Sequence, residues 1–362
     1  MTEKRMKIRD YGRLNVFFSV LAAVALALVL VGIFDLSSTP YSGFELTPDG
    51  RAFHVDPTGP ASSAGLKDAD VVVQIGEVDM EKLHDLSMQN RPNIGDVVKV
   101  SVLRNSIRHE FSIPQAKLPP SVAFQKWGTN FLALVMLAMG LAVFWYRPSK
   151  PSSLFFLSNL CFALAFTTPP YFQHSVLRTF VSTGSIVFLT MGLAFLLHLS
   201  AVFPKMKPLL RETNIVETLI YLPAPILALS FLVLQLVELK TDLLLNFALH
   251  ALFVVVVLTC VGLALAATFH SLWVAAPAER SQGLSWLVAG FVLGAVPPAA
   301  NAFMNVFFPY SSLPGQSYYP MTAILASLGF GWALWKSIAS PIKTTKKEVP
   351  VQPVIFKKAS GQ

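Results

Sequence analysis

Asn246 and His250 stand four residues apart in an otherwise apolar run, which puts an amide and an imidazole on one face of a helix. Asn159, His198, Gln235, His270, Asn301 and Asn305 are further polar residues inside apolar stretches. In hydrocarbon such groups turn inward, where they serve a ligand or ion path or tie helices together by hydrogen bonds; residue type leaves both readings open. Asn159, His198, Asn246, His250 and Asn301 are the intramembrane candidates for function. Catalytic patterns are missing. There is no H-E-x-x-H pair for a metallopeptidase, "STGSIV" with His198 or His250 is a poor serine–histidine match, and no Gly-rich phosphate loop occurs. Cys161 and Cys260 both fall inside apolar runs, unsuited to a disulfide or a metal. The expectation is a non-enzymatic protein with no catalytic residue, metal or cofactor.

The elements that position these residues follow from composition. Of 362 residues 54% are hydrophobic and 13% charged, with a mean hydropathy of +0.57, which makes a polytopic membrane protein. Windows long enough to cross roughly 30 Å of hydrocarbon run over about 15–35, 126–146, 153–170, 179–202, 215–237, 243–268, 284–306 and 318–337. The first follows the basic tail "MTEKRMKIRDYGRLN", but it is long for a signal-peptide core and lacks a clear small-residue cleavage site, so it reads as an uncleaved helix. "YLPAPIL" and "GAVPPAAN" place prolines inside the fifth and seventh windows, where lost backbone bonds permit kinks.

Basic residues give an orientation. Lys4, Arg5, Lys7, Arg9 and Arg13 precede the first window; Arg147 with Lys150, Lys205 with Lys207 and Arg211, Arg280, and Lys336 with Lys343, Lys346 and Lys347 occupy every second loop thereafter. The positive-inside rule makes that side cytoplasmic, with both termini inside. The net charge of +8 falls wholly on that face, a signature of topology and lipid headgroups that excludes a nucleic-acid partner.

The segment between the first two windows is polar and turn-rich. "GFELT" and "RAFHVD" flank "PDG" and predict a hairpin; "GPASSAGL" predicts a short helix begun by Pro60 and ended at Gly65. "DVVVQIG" reads as a buried strand, "MEKLHDLSMQN" as a helix, and "DVVKVSVLR" with "RHEFSIP" as strands joined at Asn105-Ser106. In this order these residues resemble a bacterial PDZ domain over about 75 residues. One departure is Ala69, where the family usually has Gly before the Asp-led strand, Asp70 to Gly76; the expectation is a turn reached without positive φ at Ala69, or a reshaped loop. The resemblance implies capture of an extended peptide or a protein C-terminus by strand addition. Tyr41, Ser42, Gly43 and Phe44 would then offer backbone N–H groups to a carboxylate, Glu45 and Leu46 would pair with the peptide, and Leu83, Leu86 and Ser87 would line the side-chain pocket. Read from residues alone, Gly43 is equally a turn glycine and the leucines equally core.

"HLSAVFPKMKPLL", "ERSQGLSWLVAGFVLGAVPP" and "YYPMTAILASLGFGWALWK" are similar to the sensor region of multi-pass bacterial histidine kinases of the competence and quorum-sensing type, across most of 120–340. No phosphoacceptor helix or ATP-binding domain follows Lys336, so the resemblance implies either the input half of such a system alone or a chain cut before its output domain.

The expected architecture is a polytopic α-helical membrane protein of about eight transmembrane helices, one plus seven, with an inserted extracytoplasmic α+β PDZ-like domain. Its parts are a cytoplasmic basic tail (1–14), an anchor helix (15–35), the PDZ-like domain (38–117), a seven-helix bundle (126–337) and a second cytoplasmic basic tail (338–362). The expected function is a receptor or sensory subunit of a bacterial inner membrane that recognises a peptide, protein terminus or lipophilic signal. Its partners would be membrane lipids and a cytoplasmic kinase or other signalling protein. The alternative is an accessory or scaffold subunit of an envelope complex for secretion, transport or maturation.

Overall fold

The structure, a computed structural model, describes residues 8–47, 50–80, 91–146, 148–172, 174–204, 206–207, 214–236, 243–275, 283–311 and 313–339. Among the described residues six helices are long and apolar enough to cross a membrane: Leu14–Ser38, Pro120–Tyr146, Thr183–Val202, Ile215–Val233, Leu244–Val274 and Ser285–Phe307. Lys150–Phe166 is apolar but shorter. The chain is a polytopic helical membrane protein, and its outward-facing apolar side chains, such as Phe17, Leu229 and Trp273, are those a lipid environment solvates.

In chain order the bundle consists of α1 (Ile8–Asp35), α3 (Pro120–Tyr146), α4 (Lys150–Phe166), α5 (Ser175–Val202), α6 (Asn214–Tyr221), α7 (Pro223–Leu236), α8 (Leu243–Val274), α9 (Ser285–Phe307) and α10 (Ala323–Ala339). α4 begins with a reciprocal cap in which Ser149 and Ser152 each bond the other's backbone N–H. Two windows differ from the continuous helices expected of them. The 215–237 window breaks at Leu222, because Pro223 lacks the N–H that would continue α6. The 318–337 window opens as a 3-10 segment, Gln316–Thr322 around Pro320, before α10 starts. Pro297 and Pro298 by contrast lie inside an unbroken α9.

α1 is no detached anchor. Phe18, Ala22, Ala25 and Val29 form one core with Ala133, Leu137 and Phe144 of α3 and Phe156, Leu160 and Ala163 of α4. At the end of α1 nearer the module, a Cβ on Gly32 would run into the Thr168 carbonyl, so only glycine permits that approach. A second, larger core joins α3, α4, α5, α8, α9 and α10.

Between α1 and α3 lies the small module. Its strands are β1 (Pro40–Tyr41), β2 (Glu45–Leu46), β3 (Ala52–Phe53), β4 (Val71–Ile75), β5 (Val78–Asp79), β6 (Val97–Arg104), β7 (Ile107–Pro114) and β8 (Ala116–Lys117), with a short helix α2 (Pro60–Ala64). β2 and β3 form a hairpin, β1 pairs antiparallel with β8 where the chain enters and leaves, and the remaining strands make an antiparallel sheet ordered β5-β4-β6-β7. The core comprises Ala52, Ala61, Leu66, Val72, Met80, Val100, Val102 and Ile113. Asn105 and Ser106 both take positive φ, 52° and 63°, the geometry of a type I′ turn.

Ala69 corrects its expectation. Its φ is 69°, so the chain keeps the left-handed turn and forces alanine into it. The turn is over-determined by backbone bonds on both sides, Ala69 N–H to the Ala52 carbonyl at 2.8 Å and Ala52 N–H to the Asp70 carbonyl at 2.9 Å. Asp70 is buried and takes two bonds from Arg104, at 2.7 and 2.6 Å, and one from the Lys67 N–H at 2.9 Å. Burial opposes ionisation of Asp70, but these donors outweigh it and hold the carboxyl below its ordinary range.

Candidate functional site

The module sits on the bundle, and a cleft of about 470 Å³ opens at the seam. From the module, Tyr41, Gly43, Phe44, Glu45 and His54 line it; from the bundle, Ser121 and Gln125 at the start of α3, Asn301 and Asn305 near the end of α9, and the segment Leu313–Pro320. Four of the six residues expected in the carboxylate loop and edge strand thus meet one of the intramembrane candidates, Asn301. Hydroxyl and amide side chains alternate with apolar ones in the lining, a mixture suited to the backbone and side chains of an extended peptide.

Local geometry explains the loop. Gly43 has φ +82° and a Cβ there would crowd Pro60 and Gly59, so glycine is required by the fold itself, the turn-glycine reading of this residue. The carbonyls of Ser42 and Gly43 accept from Ala61 N–H at 3.0 Å and Asp56 N–H at 2.9 Å. Among the described residues the N–H groups of Ser42, Gly43 and Phe44 have no backbone acceptor. Tyr41 donates to Asp56 Oδ2 at 2.8 Å; burial and that carboxylate push its phenol pKa up. Asp56 itself is held low, first by the Thr58 N–H and then by Tyr41. Glu45 Oε2 lies 3.7 Å from His54 Nδ1, and the nearby carboxylate raises the imidazole pKa against a smaller opposing effect of burial. On the bundle side Gln316 is buried, donating to Asn305 Oδ1 at 2.8 Å and accepting from Leu313 N–H at 2.8 Å.

Ser42 and Leu46 face away from the seam, with Phe44 reaching both sides. They line a separate groove with Ile75, Val98, Val100 and Ile113. Leu83, Leu86 and Ser87, expected to complete the peptide pocket, lie outside the described residues.

The other intramembrane candidates are dispersed. Asn159 is buried against Gly140 and donates to the Phe155 carbonyl of its own helix at 2.8 Å. His250 Nδ1 bonds the Asn246 carbonyl at 2.8 Å, and its ring meets Phe231 edge-on. His198 lies far along α5, where Nδ1 is 2.7 Å from the Tyr221 hydroxyl and Nε2 is 3.6 Å from Glu217, which also pairs with Lys150 at 3.3 Å. Among the described residues no three His, Cys, Asp or Glu side chains gather as metal ligands.

Three residues at the junctions escaped the sequence reading. Arg91 clamps the module to α1: its guanidinium meets both oxygens of Asp35 and the Ser38 hydroxyl, its N–H donates to the Tyr171 hydroxyl at 2.6 Å, and it lies over the Tyr171 ring at 4.4 Å. Arg51 shares a groove at another corner with Leu244, Phe247 and Tyr310. Asn130, fully buried, accepts from the Thr167 hydroxyl and the Thr168 N–H at 2.7 and 3.0 Å and donates to the Lys126 carbonyl and Thr168 hydroxyl. The signal for Asn130 was its place in an apolar window; nothing in the sequence pairs Arg91 with Asp35.

Comparison with known protein families, curated proteins and solved structures brings no match.

Proposed function

We propose that this chain is a non-enzymatic receptor or sensory subunit of a bacterial inner membrane, in which the PDZ-like module and the helix bundle together bind an extended peptide or protein terminus. In this reading α4 and α10 also cross the bilayer, since about 17 residues are enough, giving eight spans with both termini in the cytoplasm and the module outside. A cytoplasmic kinase or other signalling protein is the partner that receives the change.

One observation carries the reading: the loop and edge strand at 41–45 open onto Asn301 and Asn305 of the bundle rather than onto solvent alone. A ligand there touches both parts, and the force it exerts on one is felt by the other. The loop's N–H groups supply a carboxylate site and the amides of the bundle supply the second wall.

The test uses the full chain in nanodiscs and a library of peptides with free C-termini. Binders are expected to lose one to two decades of affinity on C-terminal amidation, the value of about 1.5–3 kcal/mol for charge-assisted bonds, and to weaken again with Asn301→Leu. Binding indifferent to both changes sinks the seam as the site.

A further inference from the structure

We infer that the face of α3, α9 and α10 distant from the module holds one anionic phospholipid, with an acyl chain in an apolar groove and its phosphate at Lys336. The groove is lined by Met139, Ala142 and Val143 of α3, by Trp286, Ala289 and Leu293 of α9, and by Leu325, Leu328, Trp332 and Trp335 of α10, with a volume of about 770 Å³. Its wall is made by close approach of α9 to α10: a Cβ on Gly290 or Gly329 would collide with the backbone of the facing helix. Those glycines are used up in the helix contact, and the groove beside them is what the contact leaves open.

Its two ends differ in chemistry. α3 leaves the module at Pro120 and ends at Tyr146, whose ring packs on Trp335 at 4.3 Å, so the Trp335 end lies at the membrane surface away from the module. Trp286, Trp332 and Trp335 are all substantially exposed there, the level at which indole rings sit between hydrocarbon and headgroups. Lys336 Nζ lies over the Trp332 ring at 5.1 Å, which holds a cation at the mouth. Toward the membrane interior the lining becomes aliphatic, with Leu293, Leu325 and Leu328. An aliphatic slot with an aromatic collar and the Lys336 charge at its mouth matches the order of groups along a phospholipid: chain, glycerol, phosphate. A transmembrane segment of a partner would match the apolar wall but would leave the charge at the mouth without a counterpart.

The experiment is native mass spectrometry of the detergent-purified full chain titrated with phosphatidylglycerol or phosphatidylcholine of identical acyl chains. The expected result is one retained lipid with a severalfold preference for phosphatidylglycerol, in line with a single lysine near an anionic headgroup. Lys336→Gln should abolish the preference while leaving retention of phosphatidylcholine unchanged. Ala289→Phe should fill the slot and reduce retention of both lipids, whereas Leu263→Phe on the exposed side of α8 should not. Equal retention of the two lipids by the wild-type chain overturns the phosphate assignment. Retention that survives Ala289→Phe in a protein of unchanged melting temperature overturns the groove.

Discussion

Arg91 and Asp35, 56 residues apart in sequence, form a two-pronged ion pair across the boundary between module and bundle, with Nη1–Oδ2 at 2.8 Å and Nη2–Oδ1 at 2.9 Å. Both side chains are about four-fifths buried, so water competes weakly for either. Arg91→Ala is expected to free the module from α1 at a cost of about 2 kcal/mol, read as faster amide exchange over residues 36–46 with the bundle unchanged. Arg91→Lys should rescue little, because an ammonium neither grips both oxygens nor stacks on Tyr171 as a guanidinium does.

Acid should loosen the module through Asp70. Its carboxyl titrates lower in the folded protein than the ordinary carboxylate, so its stabilisation is fully present above about pH 4 and is lost as pH falls through the folded value. Asp70→Asn is expected to remove this acid-side transition and to lower stability by about 3 kcal/mol, because Arg104 is left half-buried without its partner. Chemical denaturation of the purified chain followed across pH 2–7 reads both effects.

Ala69 and Ser106 are two of the four described non-glycine residues with positive φ, and relieving them should stabilise the fold. Ala69→Gly and Ser106→Gly remove left-handed strain of about 1 kcal/mol each, offset in part by the greater freedom of glycine when unfolded. A net gain of about 0.5 kcal/mol at each site, additive because the turns are separate, is expected in urea titrations. A loss at position 69 would mean that the Ala69 methyl group makes packing contacts worth more than the strain.

Within the bundle, Asn130→Leu should destabilise by about 1–2 kcal/mol, since the Thr167 hydroxyl and Thr168 N–H both lose their acceptor. Gly32→Ala should act on the same junction from the other side by pushing α1 off the Thr168 carbonyl. The two together should cost less than their sum, which a double-mutant cycle in mixed micelles can read.

Topology is testable in intact cells. A cysteine at Ser62 should react with an impermeant thiol reagent from outside, and one at Ser340 should react only after lysis; the reverse pattern overturns the orientation and with it the placement of the seam cleft.

What the sequence made legible were features carried by short stretches. Apolar length marks a helix wherever it occurs, "PDG" and Asn105-Ser106 each announce a hairpin, and Pro60 with Gly65 bounds a five-residue helix. Local rules failed where a neighbour decided. Ala69 takes a glycine conformation because Ala52 bonds both sides of the turn. The candidate site was legible only in halves. Glycine loop and intramembrane asparagine each draw notice alone, but their meeting depends on how the module is seated, and that rests on the Arg91–Asp35 pair and the β1–β8 pairing, contacts between residues that no spacing relates.

The β1–β8 pairing and the Arg91–Asp35 pair hold the module in two different ways. The first is backbone to backbone, where the chain enters and leaves, and acts as a hinge pin; the second is a side-chain clasp, and acts as a latch. Tyr41 of β1 stands in the wall of the seam cleft, so the cleft lies beside the pin, and its width is set by whether the latch is closed.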